Sequence, residues 1–249
     1  MTKQPRVNGR ISVVIPAFAQ EKTIRDDLVR IQARIEQISD GFEIIVVVDG
    51  VVDRTAELAR GVAGPHTRIE TLPENRGKGY AVRRGVNLTR GDVVGFIDAG
   101  GDIDPAAIET TARLVDDDLA DIAVGSKRHP ESDVKYPIRR RIFSWGYQIL
   151  CRALFGLDVR DTQVGIKFMS RAAADAVFPD VHTDGFAFDI ELLALAHRRG
   201  FVRLEECPVR VDLAFPSAIG AGSVFQMLFD TLRIYVRMRL FRQYGPSQD

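Results

Sequence analysis

Cysteine is scarce: Cys151 and Cys207 are the only two in 249 residues. Two thiols cannot build a disulfide scaffold, which excludes a small cross-linked module and leaves stability to a hydrophobic core. Net charge is missing as well. Lys and Arg total 34 against 34 Asp and Glu, and a nucleic-acid-coating protein normally carries a basic excess, so no nucleic-acid partner is expected. Long hydrophobic runs are lacking too. The longest uncharged stretch, Leu213–Phe229, is broken by Pro216, Gly220 and Gly222 and falls short of the roughly 20 apolar residues of a membrane span. The polar opening, Met1–Arg10, has no signal-peptide pattern, so the expectation is a cytoplasmic chain with free thiols. No Walker lysine loop, His-rich metal spacing or Gly-x-Ser-x-Gly elbow occurs.

What is present suits one α/β domain with a C-terminal extension. The chain is 45% hydrophobic and 27% charged, enough to bury a sizeable core. Ile11–Ile15 is a β-branched run closed by Pro16, which reads as a buried parallel strand. A helix with one apolar face (Ile24, Leu28, Ile31, Ile35, Ile38) follows, with Thr23 and Asp26 as a capping box. Strands at 42–48, 68–72 and 92–97 then alternate with helices near 53–60 and 78–88, and Asp104-Pro105 opens another helix. The second half is less regular, with helices at 136–155, 188–199 and 223–244 and strands at 164–169, 201–206 and 209–213.

This alternation predicts a mostly parallel central sheet with helices on both faces. The expected divisions are a flexible 1–10, a catalytic domain at 11–213 and an amphipathic extension at 214–249. Ligands bind beyond the carboxyl ends of such strands. Four polar or glycine-rich segments fall on that rim: Pro16–Glu21, Asp49-Gly50, Asn75–Gly79 and Asp98–Asp102.

Asp98, at the exit of the fourth strand, is placed to hold a divalent cation. Asp49 offers an acceptor for a nucleobase N–H, and Gly77-Lys78-Gly79 sets a cation beside the amides that open a helix, which suits an anion. Charge is segregated just downstream. Asp98–Asp121 carries eight acidic residues against Arg113 alone, and Lys127–Arg152 carries seven basic residues against Glu131 and Asp133. The pattern is that of a cation-friendly pocket beside an anion-attracting surface, or of two solvated helix faces.

Taken in order, Ile15-Pro16-Ala17-Phe18 with Glu21, Val48-Asp49-Gly50 with Asp53 and Thr55, Asn75–Gly79 and Asp98-Ala99 resemble family 2 glycosyltransferases of the GT-A fold. Val124–Arg128, Arg160–Lys167 and Phe186–Leu193 narrow the resemblance to dolichyl- or polyprenyl-phosphate glucose and mannose synthases, with the Asn-Arg-Gly-Lys-Gly loop favouring glucose. There are departures. Where the family usually has Asp-Asp-Gly-Ser this chain has Val48-Asp49-Gly50-Val51, and its Asp-x-Asp is here Asp98-Ala99-Gly100, with Asp102 two residues on. Phe18 and Ala19 stand where Tyr and Asn are common.

The resemblance implies an inverting transfer of a hexose to polyprenyl phosphate, glucose from UDP-glucose being favoured over mannose from GDP-mannose. It implies a donor site of Pro16, Phe18, Glu21, Asp49, Lys78 and Asp98, and an acceptor-phosphate site of Lys127, Arg128, Arg139 and Arg140. Asp98, Arg128, Asp161 and Gln163 form the implied catalytic set, and Mg2+ or Mn2+ falls to Asp98 with Asp102. An acceptor phosphate is already ionised, so positioning and charge stabilisation carry the reaction and no strong base is required. For a lipid acceptor, the last helix offers Phe225, Leu228, Leu232, Tyr235 and Val236 beside Arg233, Arg237, Arg239 and Arg242. That pattern fits a peripheral protein on the inner membrane face, and equally a docked helix or a homodimer contact. The rivals are a transferase with a soluble or polysaccharide acceptor and a non-catalytic nucleotide-sugar binder.

Overall fold

Seven strands carry the fold, and six of them run the same way. The computed structural model describes residues 6–134, 138–211 and 221–239, with the backbone alone for 138–145 and 221–225. The main sheet has the order β3-β2-β1-β4-β7-β5-β8, built from β1 (Ile11–Ala17), β2 (Phe42–Asp49), β3 (Thr67–Leu72), β4 (Val93–Ile97), β5 (Ile122–Ser126), β7 (Ile166–Ser170) and β8 (Leu204–Pro208). A ribbon pairs β6 (Asp133–Val134) with β9 (Arg210–Val211). Every residue of β1 is buried, as a strand covered on both faces requires.

Helices α1 (Ile24–Ile38), α2 (Thr55–Arg60) and α4 (Ala106–Asp116) cover one face, where Leu28, Ile31, Ile35 and Ile108 join the core. The other face carries α3 (Lys78–Val86), α6 (Arg171–Val177) and α7 (Phe188–Arg198), through Val82, Ala174 and Leu192. Outside these lie α5 (Ile138–Phe155) and α8 (Ala221–Arg239). Ile234 and Met238 of α8 enter the second core, and Tyr147 of α5 hydrogen-bonds Thr231 of α8 at 2.7 Å.

The mostly parallel sheet predicted from the sequence is present, and three details differ. First, β7 is antiparallel to both β4 and β5. The chain leaves β5 at the rim and re-enters at the same end, so Val164-Gly165 sits beside the exit of β4, where the Asp98 amide donates to the Gly165 carbonyl at 2.7 Å. Second, the capping box at Thr23 does not form. The Thr23 hydroxyl donates to Gln20 Oε1 at 2.9 Å instead, and no side chain caps α1. Third, residues 7–10 are tied down: Val7 is buried and donates to the Ile38 carbonyl, and Asp116 receives the amides of Asn8 and Gly9.

Candidate active site

The carboxyl ends of β1, β2, β4 and β5 converge with the entry of β7 on one rim. Its centre is a cluster of four charges. Lys78 opens α3 and places Nζ 2.8 Å from Asp98 Oδ2, just beyond β4. The same ammonium lies 3.7 Å from Asp189 Oδ2 on α7, whose Oδ1 receives Lys167 Nζ of β7 at 2.5 Å. Lys167 also donates to the Val164 carbonyl at 2.9 Å. Burial opposes the Lys78 charge, yet Asp98 and Asp189 outweigh it and hold its pKa above the ordinary lysine value. For Lys167, burial and the neighbouring Lys78 prevail over Asp189, and its pKa falls. The ring of Phe96 faces both ammonium groups at 5.7 and 5.4 Å.

The loop carrying Lys78 is clamped from two sides. Asp49, at the end of β2, accepts the amides of Arg76 and Gly77, one on each carboxylate oxygen, both at 2.8 Å. On the other side, the Gly79 amide donates to the Asp184 carbonyl at 2.7 Å. A Cβ on Gly77, whose φ is +99°, would stand 2.5 Å from that same oxygen. The glycines here permit a close approach of two backbones, which a dinucleotide-binding reading does not need. Asp49 is buried and its oxygens are engaged in shaping this loop. Pro16 is buried in β1, and Phe18 is 43% exposed at the strand's exit. Glu21 is exposed and lies against the next loop, its amide donating to Asp53 Oδ2 at 3.2 Å and its Oε2 accepting from the Arg54 amide at 3.4 Å. Thus Asp49, Lys78 and Asp98 share one bonded network, while the Glu21 bonds run to Asp53 and Arg54 instead.

Two carboxylate oxygens, Asp98 Oδ1 and Asp102 Oδ1, are buried and have no hydrogen-bond partner. Burial raises the Asp102 pKa, with Asp27 and Asp98 adding to it and Lys127 opposing. Unpartnered buried carboxylate oxygens are costly unless a cation meets them. Among the described residues no group of three or more His, Cys, Asp or Glu is arranged to hold a metal ion. Two carboxylates fit the Mg2+ habit of taking one or two from the protein and the rest from substrate phosphates and water. Asp104, by contrast, accepts the Ala106 amide at 2.9 Å at the start of α4.

On the β5 side, the Lys127 amide donates to Asp161 Oδ2 at 3.2 Å and the Gln163 amide to Asp161 Oδ1 at 3.3 Å. Asp161 therefore ties the β5 exit to the β7 entry. Gln163 Nε2 points to Met227 Sδ of α8 at 2.7 Å. Arg128 donates to Gln148 Oε1 of α5. The side chains of Arg139 and Arg140 lie outside the described residues, as do those of Phe225 and Arg242. Sequence reasoning missed Lys167, Asp189 and Asp27 as site residues. Asp27, on α1, is buried and receives the Gly100 amide at 2.9 Å, fixing the 98–102 loop. The available signal was a charge inside an apolar run, as with Lys167 alone in Ile166–Met169 and Asp189, together with Glu191, in Phe188–Leu195.

This geometry can be set beside known proteins. The model of glycosyl transferase family 2 matches residues 12–178. The chain belongs to glycosyl transferase family 2. It is 36% identical over 243 residues to a dolichyl-phosphate beta-glucosyltransferase of Drosophila melanogaster, covering 91% of this chain and 74% of that one. A protein of the same name from Saccharomyces cerevisiae is 32% identical over 221 residues, covering 80% and 66%. Among solved structures, glucosyl-3-phosphoglycerate synthase from Mycobacterium tuberculosis, in complex with Mn2+, UDP and phosphoglyceric acid, superposes with a TM-score of 0.69 at 21% identity. That match covers 92% of this chain and 78% of the synthase and establishes a shared GT-A fold. The protein is a glycosyltransferase.

Proposed function

We propose that this glycosyltransferase moves glucose from UDP-glucose to a polyprenyl phosphate with inversion at the anomeric carbon. The observation that carries the proposal is the charge cluster at the β4 exit, where Lys78 bridges Asp98 and Asp189 while Asp98 Oδ1 and Asp102 Oδ1 stand unpartnered. Relatives named dolichyl-phosphate beta-glucosyltransferase support the sugar and the acceptor class.

The catalytic unit is taken as 11–213. Its donor residues divide by task. Asp49 holds the Asn75–Gly79 loop in shape, Phe18 and Glu21 border the nucleoside side of the rim, and Pro16 lies in the strand beneath them, one residue before β1 ends. Lys78 stays protonated, and its ammonium, shared between Asp98 and Asp189, would supply positive charge to a diphosphate. A divalent cation, Mg2+ or Mn2+ held by Asp98 and Asp102, would supply charge neutralisation for the departing diphosphate. On the opposite side, Lys127, Arg128, Arg139 and Arg140 are assigned to the acceptor phosphate, Arg being suited to bidentate contact. Asp161 and Gln163 hold the segment between the two halves. The acceptor oxygen, already anionic, attacks opposite the leaving group, so the barrier is lowered by positioning and by preorganised charge.

Among the described residues no helix is long and apolar enough to cross a membrane. A lipid acceptor then calls for a surface that meets the bilayer. On α8, Phe229, Leu232 and Val236 are exposed together with Arg233 and Arg239, which suits peripheral attachment to the anionic inner leaflet. Vesicle co-sedimentation that is unchanged by charge reversal at Arg233 and Arg239 would assign this face to self-association instead. The reaction itself is tested with labelled UDP-glucose and, separately, GDP-mannose, each with polyprenyl phosphate and Mg2+ or Mn2+. An organic-soluble product from UDP-glucose is expected. Label appearing only in water-soluble products would transfer the assignment to a soluble acceptor, and label from GDP-mannose alone would change the donor.

A further inference from the structure

The C-terminal helix reaches the donor loop through one buried carboxylate. Glu191 of α7 is fully buried. Its Oε2 receives the amides of His182 and Thr183 at 3.0 and 2.6 Å. Its Oε1 receives Arg237 Nη2 of α8 at 2.9 Å, and the same Nη2 lies 2.9 Å from Thr183 Oγ1. The segment held in this way, 182–185, is the surface on which the Lys78 loop rests. Gly79 donates to the Asp184 carbonyl, and Arg83 of α3 donates to the Thr183 carbonyl at 3.1 Å and pairs with Asp184. From there the path runs to Lys78, Asp98 and Asp189.

We propose that Arg237 is a positioning residue for the donor site: by neutralising Glu191 it fixes 182–185 and, through that segment, the height and direction of Lys78. The same helix that presents an exposed apolar face at Phe229, Leu232 and Val236 therefore sets donor affinity on the far side of the segment. A buried carboxylate that loses a charged partner is destabilised, and a movement of 182–185 away from Glu191 relieves it. Such movement carries Gly79 with it, because no Cβ separates the two backbones. A shift of this size at a charged site is enough to lose the productive geometry.

The inference rests on the donor reading above, so its test has two arms, both on the full chain. Arg237→Met, Arg237→Lys and, as a surface control remote from the site, Arg68→Gln are compared with the unaltered protein. The first arm measures UDP binding by calorimetry in the presence of Mn2+, with thermal midpoints recorded alongside. The second follows amide exchange of Gly79 and of 182–185. Expected for Arg237→Met are at least tenfold weaker UDP binding and at least tenfold faster exchange of Gly79. Arg237→Lys should recover part of both, and Arg68→Gln should change neither. Exchange of Gly79 within twofold of the unaltered protein in Arg237→Met overturns the proposal, and so does UDP affinity within twofold. Should the unaltered protein itself fail to bind UDP, the donor reading falls, while the exchange arm still decides whether Arg237 positions the loop. Where Arg237→Met is too unstable to study, Arg237→Lys decides: Gly79 and 182–185 both exchanging more than twofold faster than in the unaltered protein, with UDP binding weakened, supports the proposal, and Gly79 exchange and UDP affinity both within twofold of the unaltered protein overturn it.

Discussion

Replacing Asp189 by Asn removes one charge and little volume, and the consequence can be worked from four distances. Asp189 is buried between Lys167, at 2.5 Å, and Lys78, at 3.7 Å. Lys78 keeps Asp98 at 2.8 Å. Lys167 keeps only the Val164 carbonyl among its strong partners and now faces Lys78 unbalanced. Breaking a buried pair from one side costs about 3–5 kcal/mol. Here the lower end, about 3 kcal/mol, is expected, because burial already pulls the Lys167 pKa down and the amine can shed its proton. The assay is urea unfolding at neutral and alkaline pH with the slope m compared between proteins. A lysine whose folded-state pKa lies below its unfolded value makes the unfolded chain bind more protons, so stability rises with pH between those two values. The asparagine variant should therefore regain part of its deficit as pH climbs toward the ordinary lysine range, whereas a purely steric defect would not. A variant within about 1 kcal/mol of the original at pH 7 with unchanged m would refute the argument.

Gly165→Ala places a methyl 2.0 Å from Asp98 Oδ2, so Asp98 must turn away; steady-state kinetics should show transfer falling by about 100-fold, with folding followed separately by circular dichroism. The thiols of Cys151 and Cys207 are buried and burial pushes both pKa values up to about 12, so an aromatic disulfide reagent at pH 8 should titrate neither thiol until denaturant is added. Asp102 is held above the ordinary carboxylate pKa chiefly by burial; protonation competes with a cation there, so Mn2+ affinity measured by calorimetry should fall as pH is lowered toward 5, and Asp102→Asn should flatten that dependence. Ala19 carries φ +53°, and Ala19→Gly should raise the urea midpoint by relieving about 1 kcal/mol of left-handed strain.

The strands richest in β-branched residues were legible from their composition. β1, β2 and β4 are short apolar runs ending in polar rim residues, and their order and direction follow from the crossover rule. β5 was hidden behind the acidic run Asp116–Asp121, whose charge obscured the five-residue strand after it. The direction of β7 cannot be read from its side chains, because Ile166–Ser170 alternates identically either way; it depends on where the chain comes back from α5. The site divided similarly. Asp98 and Lys78 were visible at strand and helix ends, whereas the Lys167–Asp189 pair joins residues 22 apart whose contact exists only after β7 packs on α7. The last helix shows the limit of periodicity. Of its expected apolar stripe, Leu228 turns toward Tyr147 and Cys151, and Tyr235 stacks edgewise on Phe155 at 6.0 Å. Leu232 and Val236 stay exposed, joined by Phe229. A stripe wide enough to serve a core on one side and another surface on the other gives no internal clue to where the division falls.

The Asp98-Ala99-Gly100 departure from the family pattern is better understood as a rebuilt loop than as a loss. Gly100 stands where the second Asp of Asp-x-Asp is usual, and its φ is +120°, a conformation an Asp side chain would strain to adopt. Gly101 follows at φ +74°, its would-be Cβ 2.9 Å from Asp27 Oδ1. Two left-handed glycines, the first held by Asp27 through its amide, turn the chain after Asp98, and the next acidic residue it presents is Asp102. The carboxylate is thereby displaced along the chain, with one oxygen of Asp98 and one of Asp102 left unpartnered and the Asp98 charge acting on Asp102. It follows that writing the family's Asp back in at position 100 adds strain and a third negative charge beside Asp27, which burial already holds above its ordinary pKa. On the function proposed above, the requirement is a pair of carboxylate oxygens facing the diphosphate, and Asp98 with Asp102 would meet it from a different backbone.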